Sequence, residues 1–348
     1  MSNPLSLHHE KLGASLDSAR SPLFYADPAE EYWAVKKAVG ITDISHLGRL
    51  KISGKDRISF LNSLLTSDVA HLSENMGQHS ALLNTKARVI ADLYLYSEPD
   101  AILVDTGDSS APVVKETLDR FVITEDVQIR DATSDLVQMT VQGPNASTAF
   151  RDALGVGVDD LTMLQHKSLG PSIIISRDRT GIGGYDIIVP GNEAEAVWQG
   201  FLLKAGDTGL APVGLKALDV LRLEAGYPKY GVDLDQNTII LEAGFKDALN
   251  FTKGCYLGQE VVARATHIGR VNKQLVGVEI DAKRPPAGGS KLTSKGVEAG
   301  FITSAAFSPG LDRVAALGYA NRDFAKIGTR LEVESESGLI PAVITRLV

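Results

Sequence analysis

The sequence predicts a chain of mixed helices and strands that ends in a small β-barrel. Three observations predict it. The 348 residues suffice for two or three domains. Helix-period and strand-period segments are interleaved through most of the chain. Towards the C-terminus, short apolar runs recur between turns such as Arg284-Pro-Pro286 and Ser308-Pro-Gly310, the pattern of a barrel of about 75 residues. A boundary near 268–275 divides the chain into 1–270 and 271–348.

Turns at Ser21-Pro22 and Asp27-Pro28 open the chain. After Pro28, Tyr32, Val35 and Val39 share a helix face, Glu30 and Glu31 lie in the first turn, and Gly40 reads as the stop. Leu50 and Ile52 alternate with Arg49 and Lys51, a half-exposed strand. Residues 58–69 read as an amphipathic helix. Leu82-Leu83 and 89–96 flank 84–88 as a hairpin, and 101–104 is a third apolar run. Residues 113–121 are helical, 127–130 and 136–141 are strands, and Gly143-Pro144-Asn145 turns into a helix at 146–153. A second hairpin joins 173–176 to 185–189 through Thr180-Gly-Ile-Gly-Gly184. That tip links strand to strand and has no Walker lysine, so it reads as a turn rather than a phosphate loop. Helices follow at 193–203 and 216–225, the second with Leu218, Leu221 and Ala225 on one face. Strands at 275–280, 300–303, 315–320, 331–333 and 342–345 complete the chain.

Composition narrows the function. Hydrophobic residues make up 44% and charged residues 22%, as in an ordinary globular chain. A net charge of −8 argues against bulk nucleic-acid binding, and no direct nucleic-acid partner is expected. One cysteine excludes an internal disulfide and an all-cysteine metal site, and fits a reducing compartment. Seven scattered histidines without an H-E-x-x-H pattern give no expectation of a metal. The opening residues lack the apolar run of a signal peptide and no stretch approaches a membrane span, so the expected location is the cytoplasm, with no membrane partner.

The densest chemistry is Lys253-Gly254-Cys255-Tyr256-Leu257-Gly258-Gln259-Glu260, followed by Val-Val-Ala-Arg264. It holds the only thiol beside a cation, an amide and a carboxylate. The two glycines allow tight geometry or close approach. The segment reads as a loop entering a short helix, whose free N–H groups lower a thiol pKa. The alternative is a small buried hydrophobe in a turn; the polar neighbours favour function.

In order along the chain, Tyr32-Trp-Ala-Val, Val39-Gly-Ile-Thr-Asp-Ile-Ser-His46-Leu-Gly, Leu64-Leu-Thr-Ser-Asp-Val69, Leu221-Arg-Leu-Glu-Ala-Gly226, Glu242-Ala-Gly244 and Ala316-Leu-Gly-Tyr319 resemble the glycine-cleavage T-protein (aminomethyltransferase) superfamily. The resemblance implies an α+β cloverleaf of three lobes: two interwoven α+β lobes and a C-terminal β-barrel, with folate in a central channel. Lys-Gly-Cys-Tyr-x-Gly-Gln-Glu is similar to the YgfZ-type folate-binding branch, where typical T-proteins have Lys-Gly-Asp-Phe-Ile-Gly-Arg. That branch is linked to maturation or repair of iron–sulfur enzymes and to tRNA modification.

The resemblance implies a cofactor, tetrahydrofolate or a derivative, and iron–sulfur client or assembly proteins as partners. Asp186, beside Tyr185, stands where the family places a pterin-binding carboxylate; the plain reading of Asp186 is an exposed strand residue. Ala91 stands where the family has its catalytic aspartate, and Asp92 follows, read as a base, a pterin partner or an outward strand residue. Leu218 stands where the family has a folate-holding arginine. Cys255 is expected to act as a thiolate, with Lys253 lowering its pKa or holding the folate tail. Gln259 and Glu260 are expected to fix the loop, with Arg264 among the folate-binding residues. The first functional reading is a YgfZ-type folate protein supporting iron–sulfur enzymes. The alternatives are an aminomethyltransferase or related one-carbon transferase, and a scaffold that keeps only the fold.

Overall fold

The computed structural model describes residues 3–108, 110–267, 271–336 and 338–348. The fold is α+β and ends in a closed six-stranded barrel. The chain forms two compact units. One comprises Met1–Phe60, Ala70–Gln78 and Leu93–Asp219; the other Leu61–Val69, His79–Asp92 and Val220–Val348. The expected boundary at 270/271 touches residues 268–270, which lie outside the described residues.

The first unit is built on a six-stranded sheet. Its order is His166–Leu169, Ser172–Ser176, Gly184–Pro190, Leu136–Gln142, Val39–Asp43 and Leu210–Pro212, and only the last pair is parallel. Successive side chains on a strand point to opposite faces. Val137, Met139, Val141, Ile174, Ile187 and Val189 therefore share one face, packed against Phe150 of the helix Ala146–Leu154 and Trp198 and Phe201 of the helix Ala194–Lys204. Ile173, Ile175 and Ile188 take the other face and meet Tyr96 and Leu103. Those two belong to a second sheet, ordered Gly77–Leu83, Val89–Ser97, Ala101–Asp108, Leu47–Ser53 and Gln128–Asp131. Its first two strands each have residues in both units.

In the second unit the barrel closes in the order Lys273–Ile280, Arg313–Asn321, Val297–Ser308, Lys291–Ser294, Arg330–Ser335 and Gly338–Leu347. Val276, Val278, Ile280, Leu292, Ile302, Val314 and Ile344 fill it. Buried Asp233 ties this unit together, accepting from Arg222 Nη1 at 2.7 Å and from the barrel hydroxyls Thr303 Oγ1 and Ser304 Oγ, each at 2.5 Å. A second cluster packs the 84–88 turn region, through Leu83, Ala87 and Val89, against Ile240, Phe245, Tyr256 and Val262.

Several expectations need correction. The first long helix ends at Lys37, and Val39 and Gly40 already belong to a strand. Gly40 is not a stop: a Cβ there would lie 2.6 Å from Val35 Cγ2 and 2.7 Å from Val213 Cγ2, so its lack of a side chain permits close packing. The helix read over 58–69 spans Arg57–Leu64, and Val69–His71 is a separate 3-10 turn. Arg49 is buried, not half-exposed. The strand Lys291–Ser294 carries too little apolar residue content to be read from periodicity. Among the described residues no helix is long and apolar enough to cross a membrane.

Candidate functional site

The loop before Gln259 is fixed from within. Asn250 Oδ1 accepts the backbone N–H groups of Thr252 and Lys253, both at 2.8 Å. Lys253 Nζ then donates to the carbonyls of Asn62 (2.6 Å), Leu65 (2.8 Å) and Ser67 (2.7 Å). These flank the end of the helix Arg57–Leu64, where carbonyls are left without intrahelical partners. Burial lowers the Lys253 ammonium to about 8, with Asp68 opposing. All three N–H donors are committed, which corrects the expectation that Lys253 holds a folate tail. Gly258 has φ +84°, and a Cβ there would lie 2.6 Å from the Asn84 carbonyl; this glycine is required by both conformation and space. Gln259 Oε1 accepts the Tyr256 N–H at 3.3 Å, as expected of a loop-fixing residue.

Between these anchors Cys255 is exposed, which removes the buried-hydrophobe alternative. The predicted helix is present at Gln259–His267. Glu260 and Arg264 are exposed on it and make no hydrogen bond or ion pair among the described residues.

Asp92 is neither outward nor free. His79 Nε2 lies 2.5 Å from Asp92 Oδ1, and His79 Nδ1 lies 2.9 Å from Asp247 Oδ2. The ring is buried edge-on to Phe245, at 4.8 Å between centroids. Burial opposes a charge on His79, but the two carboxylates overcome it and raise the imidazole to about 9. At neutral pH an imidazolium donates to both. Ala91, before Asp92 in the strand, is fully buried.

Asp186 is fully buried, so it is not the exposed strand residue of the plain reading. Its Cα partner in the ladder is Thr140, and it shares the inter-sheet face with Gln138. Arg179 Nε donates to Asp186 Oδ1 at 3.1 Å and Oδ2 at 3.0 Å, and Arg179 Nη2 donates to Oδ2 at 2.6 Å. Gln138 Nε2 donates to Asp186 at 3.0 Å and to Asp105 at 3.1 Å, and Arg179 Nη2 also reaches Asp105 at 3.1 Å. Arg49 joins through Gln138 Oε1 at 3.3 Å. The expected pterin carboxylate is thus already engaged by its own hairpin. Tyr185 faces the opposite side of the strand and packs edge-on to Phe150 at 5.6 Å, because neighbours in a strand cannot share a face.

The neighbouring Arg177 is positioned with care. Gln142 Nε2 donates to the Arg177 carbonyl at 2.9 Å, and Gln142 Oε1 accepts the Arg179 N–H at 3.0 Å. Gly184 leaves room for that amide, since a Cβ would lie 2.4 Å from it. The Arg177 guanidinium lies 3.1 Å from the Tyr94 ring centroid and donates to Tyr96 Oη at 2.9 Å. Burial works against its charge, but Tyr96, Tyr94, Asp105 and Asp186 raise its pKa above the usual arginine range. His79, Asp247, Arg177, Arg179, Asp105 and Gln138 were all missed from sequence. The usable signal was polar residues at every second position, Gln138-x-Thr140 and Tyr94-x-Tyr96, in strands otherwise apolar.

Two family descriptions match this chain: the GCVT N-terminal domain over residues 8–253 and the glycine cleavage T-protein C-terminal barrel domain over 273–348. The aminomethyltransferase of Desulfitobacterium hafniense is 32% identical over 342 residues, covering 95% of this chain and 92% of that protein. That of Thermotoga maritima is 30% identical over 352 residues, covering 99% and 96%. The crystal structure of glycine cleavage system aminomethyltransferase T from Bartonella henselae superposes with a TM-score of 0.91 at 27% identity, over 98% of this chain and 96% of that one.

Proposed function

The chain belongs to the glycine cleavage T-protein family, and from that premise we propose that it binds tetrahydrofolate or a derivative and transfers a one-carbon unit to or from it. The observation that carries this reading is similarity to aminomethyltransferases over nearly the whole chain, in sequence and in fold. The reading includes action in the cytoplasm and a division into a folate-binding region, 1–270, and the barrel, 271–348. The two family matches, which end at 253 and begin at 273, support that division.

The donor set fits a folate in part. The in-plane edge of the Arg177 guanidinium, backed by the Tyr94 ring, would hold an oxygen of the folate. Asp186 does not fit as a partner for the pterin N–H edge, because Arg179 and Gln138 engage it. When bound, folate supplies the nitrogens that carry the one-carbon unit. Asp92, held by the His79 imidazolium, is the carboxylate left beside Ala91 for proton handling.

Calorimetric titration with tetrahydrofolate is expected to give saturable binding. Incubation with an aminomethylated lipoyl carrier and tetrahydrofolate is expected to yield methylenetetrahydrofolate, free ammonia and the reduced carrier thiol. Absence of folate binding would overturn the reading.

A second reading is the YgfZ-type role, a folate protein that supports iron–sulfur client or assembly proteins and thereby tRNA modification. Exposed Cys255 on an anchored loop favours it, together with Ala91 and Leu218 in place of the family's charged residues. Here tetrahydrofolate binds without aminomethyl turnover, and Cys255→Ser fails to restore iron–sulfur enzyme activity in a deletion strain. Full restoration by that variant removes the thiol's role.

A further inference from the structure

The buried cluster around Asp186 has an uneven surface. The carboxylates are closed off, with side-chain exposures of 3% for Asp105 and 0% for Asp186. The arginine side chains are the more exposed partners, at 10% for Arg177 and 19% for Arg179. The donors are also unevenly used. Arg179 makes four contacts to the two aspartates. The Arg177 guanidinium makes one hydrogen bond among the described residues, to Tyr96, and stands 4.0 Å from Asp105. An arginine carries five N–H donors in a planar fork. A side chain nine-tenths buried, with most of that fork unspent, offers its remaining donors to an acceptor.

Charge narrows what that acceptor is. The Asp105 and Asp186 carboxylates already pair with Arg179, and Asp105 stands beside Arg177, so a neutral oxygen suffices as the acceptor. Tyr94 covers one face of the Arg177 plane, which leaves the in-plane edge to recognise a ligand. A carbonyl oxygen on a flat ring suits that edge, as a guanidinium fork suits the oxygen and adjacent ring nitrogen of a purine.

We infer that Arg177 is a ligand-binding and specificity-determining residue whose fork takes an oxygen acceptor of the bound molecule, so that the site recognises its ligand through donors and not through the Asp186 carboxylate. The inference rests on the folate reading above, where two oxygens meet the description: the 4-oxo group of the pterin and the glutamyl carboxylate.

The test compares affinities within each protein, so that any loss of folded material cancels. Wild type and Arg177→Gln are titrated with tetrahydrofolate, with its 4-amino analogue, and with tetrahydropteroate, which lacks the glutamate. Wild type is expected to prefer tetrahydrofolate over the 4-amino analogue by roughly tenfold or more, the size of a charge-assisted hydrogen bond, and Arg177→Gln to lose most of that preference. If the preference lost is that over tetrahydropteroate, the oxygen is the glutamyl carboxylate, and Arg177 keeps its assigned role. Equal weakening of all three ligands, or unchanged affinity for all three, would overturn the inference and leave Arg177 structural. Failure of wild type to bind any of the three would overturn the folate reading itself, a different result.

Discussion

Arg179→Met is expected to destabilise the protein by about 3 kcal/mol, the lower end of the range for removing one partner of a buried ion pair. Equilibrium unfolding in urea measures it. The substitution keeps most of the side-chain length and deletes every donor that Arg179 offers to Asp186 and Asp105. What remains for the two carboxylates is the neutral Gln138 amide, at 3.0 and 3.1 Å, and Arg177 at 4.0 Å from Asp105. Neither replaces a bidentate guanidinium. An exposed ion pair would cost at most about 1 kcal/mol, so the measured size distinguishes a buried pair from a surface one. Adding Asp186→Asn in the same chain removes the orphaned charge and is expected to recover part of the loss, with a coupling above about 1 kcal/mol between the two positions. A loss below about 1 kcal/mol for Arg179→Met would mean that Asp186 is not held as described, and its availability to a pterin would reopen.

The features legible in the sequence are those set by local periodicity. Both hairpins follow from apolar runs broken by turn residues, and so does the barrel, apart from its least apolar strand. The helix after the Cys255 loop was also legible, from its glycines and the Val261-Val262 pair. Polar residues facing inward were not. Arg49 alternates with Leu50 and Ile52 and so reads as outward, yet it is buried because Gln138, 89 residues away, and the Ser45 and Thr133 carbonyls receive it. Alternation tells which residues share a face; it does not tell that both faces of a strand are covered. The Asp186 pairing was within reach, since Arg179 lies seven residues away on the same hairpin. The signal is a cation just before a glycine-rich tip, facing an acid on the returning strand. The Lys253 role was beyond local reading. Its acceptors are carbonyls 186 to 191 residues earlier, and a carbonyl carries no side-chain signature.

A rise from pH 6 to pH 10 is expected to cost about 3 kcal/mol of folding stability through His79 alone. The folded imidazole is raised from 6.5 to about 9, and each pH unit corresponds to about 1.4 kcal/mol. The sign follows from proton linkage. Below 6.5 both folded and unfolded chains carry the proton, and the stabilisation by Asp92 and Asp247 is fully present. As pH rises through 9 the folded state must release that proton, and the contribution is lost. Lys253 works in the opposite sense over an overlapping window, because its folded value of about 8 lies below its ordinary 10.5, so the raw profile mixes the two. Subtracting the profile of His79→Gln isolates the histidine, and the difference should fall between pH 6.5 and 9 and be flat elsewhere. The two carboxylates should not contribute alike. Asp247 has a side-chain exposure of 74% and Asp92 of 15%, so salt screens the first far more than the second. Asp92→Asn should therefore remove most of the pH-dependent difference, and Asp247→Asn a smaller share that shrinks further in high salt. A difference profile without slope between pH 6.5 and 9 would mean that His79 is neutral at physiological pH, and Asp92 would then lack the imidazolium that the proposed proton handling gives it.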